Sequence, residues 1–247
     1  MIITSVKNEK IKQLIKLKQK KYRDETQTFL IEGYHLVEEA LKMNCVSLLI
    51  KSEDCFDSID FKDKLIVSTA IIEKLSFSKK PQPVMALCHY LDFDIDYSLA
   101  QKILILDDVQ DPGNVGTLIR TALAFNYDGI LISNKNADIY NDKVIRSTQG
   151  AIFKIPIIKT NLIKEINLLK EFNFNIIGTS LNKSILLDEL KLNNTQKLVV
   201  ILGNEGSGIS QEVLKKVDIS IKIPISKQVE SLNVAVAGAI VLYHLNK

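Results

Sequence analysis

Apolar positions along the 247 residues follow two regimes. Over residues 5–24, Ile11, Leu14, Ile15 and Leu17 recur among lysines at helical spacing, which predicts a basic helix with one narrow apolar stripe. A helical stretch about Tyr34–Met43 follows, then apolar runs at Val46–Ile50, Leu65–Ser68 and Val84–Cys88, with a short helix near Ala70–Leu75. Together they predict a small α/β unit. Acidic and apolar residues alternate without a clear period over Asp92–Ser98, and a domain boundary is placed there. From residue 101 short apolar runs alternate with helical stretches. Strands are predicted at Ile103–Val109, Gly129–Ser133, Ile152–Ile158, Asn175–Thr179, Leu198–Leu202 and Ile219–Ile225. Helices are predicted at Asn114–Phe125, Asp142–Thr148, Leu162–Phe172, Leu186–Leu190, Ser210–Lys216 and Ser231–Leu245. Strands apolar on both faces and separated by helices point to a mostly parallel sheet in a doubly wound α/β domain. Two α/β domains are therefore expected, residues 1–95 and 101–247.

Composition narrows the class. With 46% hydrophobic and 25% charged residues the chain can build a real core and is far from the disordered regime. A spanning helix needs roughly 20 apolar residues, whereas the uncharged C-terminal run Ser231–Asn246 contains Asn233, His244 and Asn246. No membrane span is expected. Met1-Ile2-Ile3 turns charged at once, so no secretory signal is expected and a cytoplasmic location is. Cys45, Cys55 and Cys88 are odd in number and form no C-x-x-C pair, and His35, His89 and His244 are scattered. Neither a disulfide framework nor a metal site is expected.

Charge is local. The net charge is only +3, yet residues 1–24 carry Lys7, Lys10, Lys12, Lys16, Lys18, Lys20, Lys21 and Arg23 against Glu9 and Asp24. This basic arm suits a polyanion such as nucleic acid, or is simply the solvated face of a surface helix.

Three polar or glycine clusters follow predicted strand ends, where open α/β sheets bind ligands. In the first, Asp111-Pro112-Gly113-Asn114 can end a strand and cap a helix. Turn chemistry does not account for Arg120, though an ordinary surface arginine would. The second, Gly203-Asn204-Glu205-Gly206-Ser207-Gly208, directly follows an apolar run, and its glycines let backbone approach a ligand or merely turn. Gly203-x4-Gly208 mimics a phosphate-binding loop, but Ile209 stands where the phosphate-pairing lysine belongs, which disfavours a nucleoside triphosphatase. The third runs from Ile223-Pro224-Ile225-Ser226 to Glu230-Ser231-Leu232-Asn233-Val234-Ala235, where Ser231 or Asn233 can cap the last helix. That helix is small and apolar on nearly every side, so it is expected to be buried under the sheet or in a subunit interface.

In this order, over residues 101–247, the clusters resemble the three motifs of the SpoU (TrmH) branch of the SPOUT methyltransferases. Asn114 and Arg120 fall at the first, Gly203–Gly208 at the second, and Pro224 with Ser231, Leu232, Asn233 and Ala235 at the third. Val144-Ile145-Arg146-Ser147-Thr148-Gln149-Gly150-Ala151 also looks like the family's arginine-containing segment before a glycine-alanine pair. Upstream, Phe29-Leu30-Ile31-Glu32-Gly33 with Leu36-Val37-Glu38-Glu39-Ala40 is similar to the family's substrate-binding domain, which has a ribosomal-protein-like α/β fold.

The resemblance implies methyl transfer from S-adenosylmethionine to a ribose 2′-hydroxyl in RNA, a C-terminal trefoil knot and a homodimer. It assigns the cofactor to Leu202, Gly203, Asn204, Gly206, Gly208, Ile223, Pro224, Leu232 and Ala235. It assigns catalysis to Arg120 with Asn114, Glu205, Ser231 and Asn233. Arginine stays protonated, so Arg120 is expected to position a phosphate and stabilise charge rather than act as a base. RNA contacts are expected from Lys7, Lys10, Lys18, Lys20, Lys21, Arg23 and Arg146. Ribosomal RNA is preferred over transfer RNA because the attached domain resembles that of rRNA-modifying relatives. A transfer RNA methyltransferase and a noncatalytic RNA-binding dimer are the alternatives.

Overall fold

The computed structural model describes residues 2–55, 58–180, 184–191 and 196–246. The chain forms two compact units, Met1–Asp92 with Tyr140–Phe153, and Phe93–Ile139 with Lys154–Lys247.

In the first unit, strands β1 (Ile2–Ile3), β2 (Thr28–Glu32), β3 (Val46–Ser52), β4 (Lys64–Val67) and β5 (Val84–His89) form a mixed sheet in the order β1-β4-β3-β5-β2. β2, absent from the predicted strands, lies antiparallel to β5 at an edge. The basic stretch over residues 5–24 is two helices, α1 (Glu9–Lys16) and α2 (Lys20–Thr26), not one. The break has a physical cause. Arg23 is buried, and its Nη1 donates to the carbonyls of Leu17 (2.8 Å) and Lys18 (3.1 Å), which a continuous helix would have used itself. Asn8 caps α1 by accepting the Lys10 N–H, while Ile11, Leu14 and Leu17 enter the core with Ile50, Ile71, Leu75 and Met85. The helices α3 (Tyr34–Lys42) and α4 (Thr69–Leu75) complete the amino-terminal part.

Tyr140–Phe153 clusters with this unit despite its distance in sequence. It carries helix α6 (Asp142–Thr148, numbered after α5 below) and a 3₁₀ turn at Ala151–Phe153. Tyr140 stacks on Tyr90 at 3.8 Å between centroids and lies 4.6 Å from Phe29. Its hydroxyl accepts the Leu91 N–H. Gly150 is left-handed (φ +85°), and a Cβ there would sit 3.2 Å from Glu39 Cγ and 3.3 Å from His35 Nε2. Only glycine fits both demands easily.

The second unit holds β6 (Lys102–Asp107), β7 (Gly129–Ile132), β8 (Ile157–Lys159), β9 (Phe174–Thr179), β10 (Ile185–Leu186), β11 (Lys197–Gly203) and β12 (Ile219–Lys222). Among the described residues these make a seven-stranded sheet, ordered β10-β12-β9-β11-β6-β7-β8, with every pair parallel. The helices are α5 (Pro112–Ala124), α7 (Leu162–Glu171), α8 (Gln211–Leu214) and α9 (Val234–His244). Central β6 and β11 are buried along nearly their whole length, as their unbroken apolar runs predict.

Three elements differ from expectation. Ile152–Ile158 is not one strand: Pro156 has no N–H for a ladder, so β8 begins after it, and its carbonyl accepts the Ile130 N–H. Leu186–Leu190 is the end of β10 and a 3₁₀ turn, Leu187–Glu189, in which Glu189 accepts the Leu186 N–H. The last helix begins at Val234, not Ser231, because Asn233 caps it. One face of α9 packs closely. A Cβ on Gly238 would lie 2.4 Å from Leu118 of α5 and 2.7 Å from Leu202 of β11. The opposite face leaves Val236, Ile240 and Tyr243 exposed, so burial is one-sided in the single chain. Among the described residues no helix is long and apolar enough to cross a membrane.

Candidate functional site

β6 and β11 run side by side with Gly203 opposite Asp107, so the first two motifs leave the sheet at the same carboxyl edge. Asp107 is buried and accepts the Ser210 N–H at 2.7 Å, tying the end of the glycine loop to β6. Asp108 then turns the chain in the left-handed region (φ +61°), and its carbonyl accepts Asn204 Nδ2 at 2.9 Å.

The glycine loop is closed by its own backbone. Asn204 N–H donates to Gly208 O and Gly208 N–H to Asn204 O, both at 3.0 Å. Asn204 Oδ1 accepts the N–H groups of Gly206 and Ser207. A Cβ on Gly203 would fall 2.2 Å from both Gly208 C and Ile209 N, and Gly208 has φ +70°, so these two glycines are required by the turn itself. At Gly206 a Cβ would meet nothing closer than 3.6 Å; the chain leaves room there.

One hydrogen-bonded chain joins all three motifs. Asp111 caps α5 by accepting the Asn114 N–H. The Asn114 side chain donates through Nδ2 to Glu205 Oε1 at 3.0 Å and accepts Asn233 Nδ2 at its Oδ1, also at 3.0 Å. Asn233 Oδ1 in turn accepts the Ala235 and Val236 N–H groups. Glu205 also accepts the N–H groups of Gln110 and Asp111. Burial pushes its carboxyl upward, but the donors from Asn114 and the backbone outweigh it and hold the group below its ordinary range. Glu205 is therefore a fixed carboxylate.

The remaining expected residues sort by surroundings. Leu202 and Ala235 are buried beside the loops. Ile223, Pro224, Ser231 and Leu232 lie in residues 223–233, which form neither helix nor strand and so leave main-chain donors and acceptors outside any ladder. Such groups suit the edges of an adenine, and this segment fits S-adenosylmethionine on that ground. Arg120 is exposed on α5. Among the described residues it has no hydrogen-bond or ion-pair partner, and nothing joins it to Asn114, Glu205 or Asn233. The sequence reading missed Asp107 as the anchor of the loop; its only signal was an aspartate ending an apolar strand.

In the first unit the basic candidates differ among themselves. Lys7 and Lys10 are exposed. Lys20 pairs with Asp24, and Lys21 Nζ lies 3.8 Å from Glu25. Lys18 donates to the Ser76 carbonyl at 2.7 Å. Arg23 is a correction: buried and committed to two carbonyls, it holds the α1–α2 corner and offers no surface for RNA. Arg146 is exposed on α6 and forks onto Asp142 (3.0 and 2.7 Å).

Known proteins share this organisation. Residues 101–243 match the SpoU rRNA Methylase family and residues 8–86 match the MRM3-like substrate binding domain. The chain is 40% identical to the 23S rRNA (guanosine(2553)-2′-O)-methyltransferase RlmP of Bacillus subtilis, over 98% of both chains. The AdoMet-bound rRNA methyltransferase from Sinorhizobium meliloti superposes with a TM-score of 0.88 at 27% identity, over 99% of this chain and 97% of that one. At 21% identity, AviRb of Streptomyces viridochromogenes shares the fold, with a TM-score of 0.87 over 97% of each chain. A family match over more than half the chain, an end-to-end relative at 40% identity, and three motifs joined at one sheet edge agree: this protein belongs to the SpoU rRNA methylase family.

Proposed function

We propose that this protein transfers the methyl group of S-adenosylmethionine to the ribose 2′-hydroxyl of a guanosine in 23S ribosomal RNA. The observation that carries the reading is the match to RlmP across both units, not the catalytic half alone. It favours ribosomal over transfer RNA. The sulfonium of the cofactor supplies an already activated methyl group. What is asked of the protein is to bring a hydroxyl oxygen in line with it and to exclude competing geometries.

Leu202, Gly203, Asn204, Gly206, Gly208, Ile223, Pro224, Leu232 and Ala235 would hold the cofactor, largely through main-chain groups. Glu205 fixes the side-chain amide of Asn114, and Asn114 fixes that of Asn233, so ribose-facing groups are pre-oriented. Ser231 stands exposed at the same segment with a free choice of partner. Arg120 holds a phosphate next to the acceptor ribose through paired N–H donors and stabilises charge there. With the hydroxyl so held, the bound cofactor would supply the methyl group to its oxygen and leave as the neutral thioether, and the hydroxyl proton would pass to solvent.

A two-fold homodimer is part of the reading, supported by the exposed Val236, Ile240 and Tyr243 on α9. It gives Arg120, which has no partner among the described residues, a route to the site of the second copy. A trefoil knot is also part of it. In its support, the chain leaves the sheet at β12 and returns as α9 beside α5 and β11, two strands inward. A cytoplasmic location is also part of the reading, supported by the match to a ribosomal RNA methyltransferase. The test is mapping of 2′-O-methyl groups in 23S rRNA from cells with and without the protein, with labelled-methyl transfer to a transcript in vitro. Retention of every 2′-O-methyl in its absence counts against the reading.

A further inference from the structure

The first unit contains a cluster of charge that methyl transfer does not use. Glu32, at the end of β2, is buried, and one carboxylate pins both ends of a loop. Its Oε2 accepts Ser76 Oγ at 2.8 Å and the Phe77 N–H at 3.4 Å, while its Oε1 accepts the Gln82 N–H at 2.9 Å. The loop between carries Lys79 and Lys80, both exposed. Lys18 reaches the same loop from the α1–α2 corner: its Nζ donates to Ser76 O and lies 5.0 Å over the Phe77 ring. It donates to a carbonyl and lies over a ring, and Asp142 and Glu32 act on its charge from farther off without a hydrogen bond to it, so the ammonium keeps spare donors. Burial, then the neighbouring Lys74, push that ammonium below the ordinary lysine range. On the other side α6 packs on β2 and presents Arg146, exposed and fixed in place by its fork onto Asp142, which offsets part of its charge.

We propose that Lys18, Lys79, Lys80 and Arg146 form one RNA-backbone-binding face of the first unit, with Glu32 as its positioning residue. The proposal rests on the reading of the protein as an RNA methyltransferase and names where the RNA is held. Phosphates are the fitting ligand because the face is a set of separated cationic donors on a pinned loop. A carboxylate beneath it organises without reaching the surface. An acidic protein partner would call for an apolar centre, and the loop offers only the half-buried Phe77.

The experiment uses the full chain and a 23S rRNA transcript, with affinity measured across salt. Removing one lysine–phosphate pair should flatten the slope of log Kd against log salt by about one. The Lys18→Ala/Lys79→Ala/Lys80→Ala variant should lose about three in slope and about tenfold or more in affinity near ~0.1 M salt. A control lacking three exposed lysines elsewhere, Lys62→Ala/Lys164→Ala/Lys215→Ala, should change far less. Lys79→Arg/Lys80→Arg should retain affinity. Glu32→Gln, which confronts the loop N–H groups with an amide donor, should raise KM for RNA severalfold while leaving kcat and S-adenosylmethionine affinity unchanged. Equal slopes for the two triple variants, or equal competition by poly-glutamate of matched charge, overturn the face. If the parent binds RNA through this face yet transfers no methyl, the face stands and the transfer reading falls. Absence of RNA binding by the parent overturns both.

Discussion

Replacing Gly203 by alanine is a severe test of the closed loop. The added Cβ would lie 2.2 Å from Gly208 C, 2.2 Å from Ile209 N and 2.5 Å from Gly208 O. All three are backbone atoms, so no rotamer change relieves the clash. Ordinary contact between such atoms begins near ~3.5 Å, so the loop must retreat by about 1 Å or more. That exceeds the roughly 0.5 Å range over which N–H···O bonds vary. The Asn204–Gly208 pair at 3.0 Å and the Ser210–Asp107 bond at 2.7 Å cannot all survive the shift. Overpacking costs about 1–3 kcal/mol, and each broken hydrogen bond about 1 kcal/mol, so a loss of ~2–5 kcal/mol is expected. Urea unfolding reads it as a lowered midpoint, and calorimetry should show loss of S-adenosylmethionine binding. Gly206→Ala is the internal control: its nearest atom is Asn204 Oδ1 at 3.6 Å, so stability should change by less than ~0.5 kcal/mol. Gly206→Val then reports on a ligand alone, and should weaken cofactor binding if the loop approaches it. A Gly203→Ala protein with the parent's midpoint and cofactor affinity refutes the closed loop.

Arg120→Lys and Arg120→Ala should keep the fold and near-parental cofactor affinity yet lose methyl transfer by about two orders of magnitude, because a point charge does not replace a fork; a parental single-turnover rate for the alanine variant returns Arg120 to the surface. Arg23→Ala should destabilise the first unit by ~2–4 kcal/mol, since it strands two carbonyls now served by a guanidinium. At conditions where the variant stays folded, RNA affinity should be unchanged, and a loss there restores Arg23 to the RNA surface. Ile240→Glu with Tyr243→Glu should shift the mass seen by light scattering from dimer to monomer, and a parent that is already monomeric removes the dimer from the mechanism.

The alternation of apolar runs and helices from residue 101 was enough to read a parallel sheet, because β6 and β11 are buried on both faces and advertise it as unbroken Ile, Leu and Val. What escaped was decided by single residues acting at a distance. The residue 5–24 periodicity is real, but Arg23 folds back on the corner, and charge counting cannot tell a buried guanidinium from a solvated one. Pro156 displaced β8. Tyr140–Phe153 joins the first unit through rings contributed by Phe29 and Tyr90, about fifty or more residues earlier, and no local pattern encodes that partnership. β2 carries no strand signal of its own, since five residues between a helix and a glycine give too short a window for a period.

At the site, residue types were legible and their connections were not. Asn114, Glu205 and Asn233 are 91 and 119 positions apart in their two bonds, yet they form one directional chain. Its direction comes from the carboxylate. An ionised Glu205 can only accept, so Asn114 must present Nδ2 to it and Oδ1 to Asn233; Asn233 must then donate and turn its own Oδ1 to the first turn of α9. A glutamine at 205 carries donor and acceptor alike and would leave both amides free to flip. The Glu205 carboxyl is held below its ordinary 4.5, so what it contributes is fully present above that value and is lost as pH falls through the lower folded value. Glu205→Gln should therefore abolish that acid-side loss. Since the group is exposed, the cost in single-turnover methyl transfer at neutral pH should be modest, about tenfold, with little change in stability. A variant that transfers methyl at the parental rate and keeps the parental acid transition shows that Glu205 orients nothing, and that the three motifs meet without working together.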